Sequence, residues 1–304
     1  MITCFDIGGT HIKAATATGP DEVHAVGRLP TPRDDFDAFA AALAQLLEEG
    51  GAPAGSALAI SVTGVVDPET GLVTVANIPG IDGRHLAADL GTVLGRRVLV
   101  ANDADCFVLA EALSGAGKGH RVVFGAILGT GVGGGIVADG KLFRGGGGLS
   151  GEWGHGAIVA TKIPVPPFEL PHFPCGCGRS GCLDTVGGAR GLERLHLHLH
   201  GEILPSTAIV ANWMAGDAAA GQSIDLYIEL VAPPLALVVN VVGPDIVPVG
   251  GGLGNSAALI QRLDEAVRAR ILRRIARPLV VPAQLTVDAG LLGAAALGFS
   301  EGAA

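Results

Sequence analysis

Three of the five cysteines in this 304-residue chain lie close together, as Cys175-Gly-Cys177 followed by Cys182. The glycines around them allow the backbone to turn so that the thiolates converge, and clustered thiolates are typical ligands of structural zinc. A tetrahedral site needs a fourth ligand, which His155 or His172 could supply, and sequence spacing does not choose between them. With four protein ligands, a zinc ion would hold this loop in place and perform no chemistry. The alternative is that the three cysteines are small apolar side chains buried in the core of a reduced protein. Burial alone gives no reason for cysteines to cluster among glycines.

Carboxylates flank the cysteine segment on both sides. Glu152 precedes it, in the sequence Glu152-Trp-Gly-His155, and Asp184 follows it closely. A loop fixed by a metal would hold both acids rigidly, as a binding site for a polar substrate requires. The segment therefore predicts a polar binding site beside a structural zinc ion.

A further carboxylate, Asp103, stands between a predicted strand over Val98–Ala101 and a predicted helix over Ala104–Leu113. A carboxylate that ends a buried strand and precedes a helix lies where open α/β sheets bind their ligands. The alternative is an ordinary helix cap, with Asp105 as an acid in the first helical turn. Because other motifs in the chain indicate a phosphate site, we predict that Asp103 is a general base.

Three glycine-rich turns each follow a predicted strand. They are the first loop, Asp6-Ile-Gly8-Gly9-Thr10, the second loop, Gly129-Thr130-Gly131, and the third turn, Gly250-Gly251-Gly252. Backbone N–H groups in such turns can face phosphate oxygens, and a carboxylate at a strand end can hold Mg²⁺ through water. A tight connection between elements would also explain each turn alone. Because the arrangement is repeated, we predict that the first and second loops bind one triphosphate and that the third turn receives adenine or ribose. The residues assigned to the nucleotide are Asp6, Gly8, Gly9, Thr10, Lys13, Gly129, Thr130, Gly131, Gly250, Gly251 and Gly252.

Periodicity and turn residues predict alternating strands and helices along the chain. Predicted strands cover Ile2–Asp6, Lys13–Thr18, His24–Arg28, Ala57–Thr63, Val98–Ala101, Arg121–Leu128, Gly135–Ala138, Asp245–Val249 and Leu285–Val287. Predicted helices cover Asp35–Glu49, His85–Leu94, Ala104–Leu113, Gly191–His200, Ser206–Ala215, Ala218–Asn240, Ser256–Ile275 and the C-terminal residues from Gly290. Gly64 follows a buried strand, in a loop position where small ligands often bind.

Composition favours an α/β protein with two domains. Apolar residues make up 49% of the chain and aromatic residues 4%, so aliphatic side chains must build the core. The net charge of −9 argues against a nucleic-acid-binding surface. The N-terminus lacks the pattern of a signal peptide, and charges and a proline pair interrupt the apolar run Ile224–Val242, so we expect a cytoplasmic protein without a membrane span.

Histidines alternate at positions 196, 198 and 200, which suggests a metal site at first sight. On a helix only His196 and His200 share a face. We therefore interpret this segment as a solvated or dimer-facing surface.

The chemistry-bearing motifs occur in the order and context of one family, and they resemble those of the ROK family of sugar kinases and sugar-responsive repressors. They are Asp6-Ile-Gly8-Gly9-Thr10, Asn102-Asp103, Gly129-Thr130-Gly131, Glu152-x-x-His155, Cys175-x-Cys177-x4-Cys182 and Gly250-Gly251-Gly252. The resemblance extends from residue 2 to residue 298. It implies a two-domain actin-like ATPase (ribonuclease H-like) α/β fold with a structural zinc loop. The implied domains are 1–115, 116–290 and a C-terminal helix over 291–304 that returns to the N-terminal domain.

The resemblance also implies roles for individual residues. ATP and Mg²⁺ would occupy the first and second loops, and Asp103 would be the base. The implied sugar-binding residues are Gly64, Asn77, Asn102, Asp103, Glu152, His155 and Asp184. His155 would also ligate zinc with Cys175, Cys177 and Cys182, in place of His172. Relatives are commonly dimers, so we expect a homodimer.

Within the family, the segment Thr31–Phe39 and the span between His155 and Cys175 resemble the N-acetylglucosamine kinase and fructokinase/mannokinase branch. The sequence departs from the family at several positions. Asp184 stands where Glu is usual, and Asp105 stands where Asn is commoner. Gly187-Gly188 replaces a Leu-Ser or Val-Ser pair, and the pair Pro233-Pro234 should kink a helix.

We therefore predict an ATP-dependent hexose 6-kinase that favours N-acetylglucosamine. Glucose, fructose, mannose and N-acetylmannosamine are alternative acceptors. A repressor of the family would carry a DNA-binding domain ahead of Asp6, and we expect none. A sugar-binding protein without activity is the alternative from another class, against which Asp103 and the two loops argue.

Overall fold

The computed structural model describes residues 1–158, 172–285 and 288–302. The chain forms two compact units. The first unit comprises Met1–Gly119, Ile136–Ser150 and Leu285–Ala304, and the second comprises His120–Gly135 and Gly151–Gln284.

Twelve strands are present in the described residues. They are β1 (Ile2–Ile7), β2 (His11–Ala17), β3 (Val23–Pro30), β4 (Leu58–Val62), β5 (Val65–Val66), β6 (Val73–Thr74), β7 (Val98–Asn102), β8 (Val122–Leu128), β9 (Val132–Ala138), β10 (Lys141–Leu142), β11 (Val247–Gly250) and β12 (Val280–Pro282).

Nine α-helices are present in the same residues. They are α1 (Phe36–Glu49), α2 (Leu86–Leu94), α3 (Asp103–Ser114), α4 (Asp184–Gly187), α5 (Ala189–His200), α6 (Ser206–Met214), α7 (Ala218–Val242), α8 (Ala257–Arg268) and α9 (Ala289–Ser300).

The sheet of the first unit has the strand order β3-β2-β1-β4-β7. β1, β2 and β3 form an antiparallel meander, whereas β4 and β7 run parallel to β1. The parallel register aligns Ile7 with Val62 and Val62 with Asn102. The carboxyl ends of three neighbouring strands therefore meet at one edge, where the first loop, Gly64 and Asp103 follow them.

Two apolar layers cover this sheet. On one face α1 and α2 contribute to a buried cluster with Phe5, Ile60 and Leu43. On the other face the Ala-rich helix α9 packs against β1, β4 and α3. Gly293 makes this close approach possible, because a Cβ there would collide with Cys106 on α3.

The sheet containing β8 and β11 has the order β10-β9-β8-β11-β12. β8, β11 and β12 are parallel, and Gly250 at the end of β11 aligns with Ile127 near the end of β8. The second loop and the third turn therefore leave the same edge. α7 packs against α5, α6 and α8 in this unit.

Most predicted elements are present, with differences at their ends. α8 ends at Arg268, although the pattern predicted a helix to Ile275. The chain turns there because Arg270 pairs with Glu229 on α7 and the Leu272 N–H donates to Asn240 Oδ1. Of the strand predicted over Leu285–Val287, residues 286–287 lie outside the described residues, and the strand found nearby is β12.

Helix α7 is long and apolar enough to cross a membrane by length and composition alone. However, 61% of its most apolar window is buried within the protein, as expected for a core helix. It continues through Pro233 and Pro234, the pair that the sequence predicted would kink it.

Candidate active site

The first loop follows β1 and has two backbone N–H groups that can bind a ligand. The Gly8 N–H donates to the His11 carbonyl, and Thr31 fixes the other side of the loop. Thr31 Oγ1 donates to the Gly8 carbonyl at 2.6 Å, and the Thr31 N–H donates to the Thr10 carbonyl. Among the described residues, no backbone carbonyl accepts from the N–H of Gly9 or Thr10. These two amides suit a phosphate oxygen.

Opposite charges surround the carboxylate of Asp6. Lys13 Nζ lies 3.9 Å from Asp6 Oδ2 and 3.3 Å from Asp288 Oδ1. Burial raises the pKa of Asp6, the charge of Lys13 lowers it, and Asp288 raises it again. Gly290 in the first turn of α9 lies against the Asp6 carboxylate, where a Cβ would collide. Asp6 and Asp288 thus bring two carboxylates to the place predicted for Mg²⁺.

Asn77 connects the first loop to the loop after β4. Asn77 Oδ1 accepts from Thr63 Oγ1 at 3.1 Å, and its carbonyl accepts from Arg33 Nε at 2.9 Å. Its amide group lies beside Gly9. Gly64 has a φ of +112°, and a Cβ there would collide with the Thr74 carbonyl, so glycine is needed at this turn. The structure therefore places Asn77 beside the first loop, and Gly64 in the neighbouring loop after β4.

Asp103 is exposed and begins α3 directly after β7. The residue that caps α3 is Asn102, whose Oδ1 accepts from the Asp105 N–H at 2.7 Å. The alternative in which Asp103 caps this helix is therefore wrong. With its oxygen used as the cap, Asn102 retains its side-chain amide hydrogens for a sugar oxygen. Asp103 remains accessible at the strand edge where we predicted a base.

In the second loop, three residues of the segment 184–189 hold the backbone. The Gly129 carbonyl accepts from the Ala189 N–H at 2.7 Å, and Asp184 Oδ1 accepts from the Val132 N–H at 2.8 Å. Gly188 packs against Thr130 and Gly131 so closely that a Cβ would not fit. Within the described part of the chain, the Thr130 and Gly131 N–H groups have no backbone acceptor. They are the second pair of amides available to phosphate.

The third turn packs directly on the second loop. A Cβ on Gly251 would collide with the backbone of Leu128 and Gly129, and Gly251 has a φ of +84°. Beside this turn lies an open, mainly apolar cavity of about 410 Å³ between α6 and the start of α8. It is lined in part by Val210, Met214 and Leu253. A flat, partly apolar base suits such a cavity.

The predicted zinc ligands converge. The ligand atoms of His155, Cys175, Cys177 and Cys182 all lie within 4.8 Å of one another. Cys177 Sγ and Cys182 Sγ are 3.6 Å apart, and Cys175 Sγ is 3.8 Å from His155 Nδ1. Tetrahedral zinc with bonds of about 2.3 Å to sulfur requires ligand separations of roughly 3.8 Å. The cage therefore fits zinc with His155 as the fourth ligand, and His172, which contacts Gly181, is not part of this group.

The thiols of this cage differ in acidity. Arg179, through its side chain and its backbone N–H, lowers the pKa of the exposed Cys177 to about 6. Burial raises the pKa of Cys182 to about 11. The thiolate is the metal-binding form, so a bound metal would have to displace the Cys182 proton. All five cysteines lie in the described residues and are free thiols.

His155 joins the metal cage to the predicted sugar residues. Its Nδ1 faces Cys175, and its Nε2 lies 3.7 Å from Glu152 Oε2. A carboxylate on the second nitrogen is a common way to orient a metal-bound histidine. The adjacent Trp153 donates from Nε1 to the Gly133 carbonyl at 2.7 Å, which fixes this segment to β9.

One histidine of helix α5 is buried, although the sequence predicted a solvated or dimer-facing surface there. His196 is 1% exposed, so the prediction of a solvated or dimer-facing surface is wrong for this side chain. Ser223 Oγ donates to the Ala219 carbonyl and therefore accepts from His196 Nδ1 at 2.9 Å. His198 remains exposed on the same helix.

Two residues around the site were not identified from the sequence. Thr31 contacts Gly8 in the first loop, and Asp288 contacts Lys13. Each of the two residues is distant along the chain from its partner. Asp288 has a φ of +50°, which is uncommon for a residue other than glycine. The only sequence signal was the position of Thr31 in a segment that resembles the family.

Comparisons with known proteins give one family. Residues 2–300 match the model described as "ROK family". The N-acetyl-D-glucosamine kinase of Escherichia fergusonii is 35% identical over 299 residues, which cover 98% of this chain and 99% of the relative. The ROK hexokinase of Thermus thermophilus superposes with a TM-score of 0.83 at 31% identity, covering 99% of this chain and 98% of that one. The ROK glucokinase of Streptomyces griseus in complex with glucose and AMPPNP gives 0.73 at 27% identity, covering 97% and 98%.

Proposed function

The chain belongs to the ROK family, and on this premise we propose that it transfers the γ-phosphoryl group of ATP to the 6-hydroxyl of N-acetyl-D-glucosamine. Its fold is the two-domain actin-like ATPase fold, in agreement with the prediction from sequence. The observation that carries the proposal is the similarity to curated N-acetyl-D-glucosamine kinases over nearly the whole chain.

Asp103 is the proposed general base. A sugar hydroxyl is a poor nucleophile, so a carboxylate within hydrogen-bonding reach must accept its proton as the new O–P bond forms. The bond between the γ-phosphorus and the β,γ-bridging oxygen breaks, and ADP leaves. The exposed position of Asp103 after β7 supports this role. Glu152, His155, Asp184, Asn102, Asn77 and Gly64 are the proposed sugar-binding residues.

Nucleotide binding is assigned to the two loops and the third turn. The available amides of Gly9, Thr10, Thr130 and Gly131 would receive phosphate oxygens, and the cavity beside Gly252 would receive the adenine. Asp6, through water, would hold the Mg²⁺ that neutralises phosphate charge. Lys13 is a further candidate for a phosphate contact. Zinc in the Cys175, Cys177, Cys182 and His155 cage would have a structural role.

The remaining assignments follow from the same family. We propose a cytoplasmic homodimer that acts on a small sugar, without nucleic-acid or membrane partners. Glucose, mannose, fructose and N-acetylmannosamine are alternative acceptors.

The direct test is a coupled ADP-release assay with Mg-ATP and a panel of these five sugars. We expect the highest kcat/KM with N-acetylglucosamine. Asp103→Asn should lower kcat by about 10²–10⁴-fold, because general-base catalysis contributes that much, while sugar binding persists in calorimetry.

Asp105→Asn is the matched control, since it removes a carboxylate from the same helical turn and should leave turnover near that of the wild type. Turnover of Asp103→Asn at the wild-type rate would remove Asp103 from the mechanism. A folded, zinc-loaded protein that phosphorylates none of the five sugars would instead favour a sugar-binding protein without activity.

A further inference from the structure

We propose that Asp184 is a positioning residue for the second loop and thereby sets the affinity for the nucleotide. The inference rests on the proposed function, because the second loop binds phosphate only if the protein is a kinase. It adds a residue that positions the nucleotide-binding loop, at position 184, where this chain has Asp and the family usually has Glu. The family resemblance assigns the acid at this position to the sugar, and the contact of Asp184 with the Val132 N–H adds a second role, toward the loop.

Both oxygen atoms of the Asp184 carboxylate lie close to other groups of the protein. Oδ1 accepts from the Val132 N–H at 2.8 Å, immediately after the second loop. Oδ2 lies 3.9 Å from Cys175 Sγ, one of the proposed zinc ligands. The side chain therefore lies between the metal cage and the loop, and connects them.

The loop is also shaped around this side chain. A Cβ on Gly131 would collide with Asp184, and the three atoms nearest to that Cβ all belong to the Asp184 carboxyl group. Gly131 does not have a positive φ, so its backbone conformation is open to alanine. The side chain at position 131 is therefore limited by Asp184.

Other contacts hold the opposite side of the loop through the backbone alone. The Ala189 N–H donates to the Gly129 carbonyl, and Gly188 and Gly251 pack against the loop backbone. Asp184 supplies a side-chain hydrogen bond directly after Gly131. A hydrogen bond from an amide to a carboxylate is stronger than a neutral one, so it fixes the direction of the neighbouring N–H groups.

The length of the side chain explains why aspartate suits position 184. The carboxyl group already contacts the Gly131 Cα region and the Val132 N–H. One more methylene, as in glutamate, would push the carboxylate into the loop or away from the Val132 N–H. A carboxylate near a triphosphate also repels it, so the placement is unfavourable for nucleotide binding unless positioning offsets the repulsion.

The test is a double-mutant cycle between positions 131 and 184, read by calorimetry with Mg-ADP. We expect Gly131→Ala and Asp184→Ala each to weaken ADP binding about tenfold, the value of one well-formed hydrogen bond. Asp184→Ala removes the group with which the new methyl would collide. The double variant should therefore bind ADP no more weakly than Asp184→Ala alone, which is a non-additive result.

Conservative variants separate positioning from sugar binding. Asp184→Asn keeps an oxygen that can accept from the Val132 N–H, so we expect its ADP affinity and its KM for ATP to approach those of the wild type. Asp184→Glu should weaken ADP binding despite retaining the charge. Zinc content, measured on every variant, checks that the metal cage has survived.

Additive effects in the cycle, or a rise in the KM for sugar with unchanged ADP affinity in Asp184→Ala, would overturn the positioning role. Wild-type protein that binds no Mg-ADP would contradict the proposed function itself, and the positioning role would fall with it. If the wild-type protein binds Mg-ADP and the effects of the two substitutions are additive, the proposed kinase function is retained and only the positioning role of Asp184 is rejected.

Discussion

The first and second loops have the same plan but are held in different ways. Each follows a buried parallel strand, and each has two neighbouring amides without a backbone acceptor among the described residues. The first loop is fixed by Thr31, whose hydroxyl and amide contact Gly8 and Thr10. The second loop is fixed by Asp184, which lies next to the metal cage.

This difference has a consequence for stability. The support of the first loop comes from β-sheet neighbours and one threonine, which form with the fold of the first unit. The support of the second loop comes from residues that directly follow the glycine-rich cysteine segment, whose shape would depend on a bound metal. The two loops should therefore respond differently to loss of zinc.

Cys177→Ser should have the largest effect, because it removes one of four ligands from the metal cage. We expect zinc content to fall from about one ion per chain toward zero and Tm to fall by at least about 5 °C. The KM for ATP should rise as the second loop loses its support. Metal analysis and calorimetry on the same sample give both values.

Cys4→Ala is the matched control for this variant. Cys4 is a buried thiol in the first unit and lies outside the metal cage, and burial raises the pKa of Cys4 to about 12. Its replacement should leave zinc content unchanged. Full zinc content in Cys177→Ser would contradict the ligand set and the comparison that depends on it.

Thr31→Val should have a smaller effect, confined to the first loop. It removes the 2.6 Å hydrogen bond to the Gly8 carbonyl, which is worth about 1 kcal/mol. We expect the KM for ATP to rise about fivefold at unchanged zinc content. Thr92→Val is the control, because Thr92 donates to a main-chain carbonyl within the distant helix α2. Equal effects of the two variants would show that Thr31 has no special relation to the loop.

His196→Gln should have the smallest effect and would separate acid sensitivity of the fold from acid release of zinc. Burial lowers the pKa of His196, as does His200, while Glu202 and Asp217 raise it. The folded protein therefore binds a proton at His196 less readily than the unfolded chain does. The free energy of unfolding should fall as the pH drops below 6.5, the ordinary value for histidine.

Glutamine can still donate to Ser223 but cannot titrate, so the variant should lose less stability between about pH 7 and about pH 5. Chemical denaturation at several pH values measures the slope. His198→Gln, on the exposed face of the same helix, should leave the slope as it is in the wild type. A slope in His196→Gln equal to that of the wild type would mean that other groups cause the acid sensitivity.

Local features of the chain were sufficient to predict most elements. Short apolar runs predicted β1, β4 and β8, and glycines after them predicted the loops, because both signals depend only on neighbouring residues. The end of α8 was not predictable in this way. Its pattern continued past Arg268, but partners on α7 bind the following residues.

The sequence by itself determined which chemistry the chain carries: three clustered cysteines, carboxylates after strands and repeated glycine loops. Those signals are local, since residue type and spacing are sufficient to show them. Only the tertiary structure decided that Asn102 caps α3, that His196 is buried and that Asp184 faces Val132. These choices depend on segments distant along the chain, whose approach is set by strand register and packing.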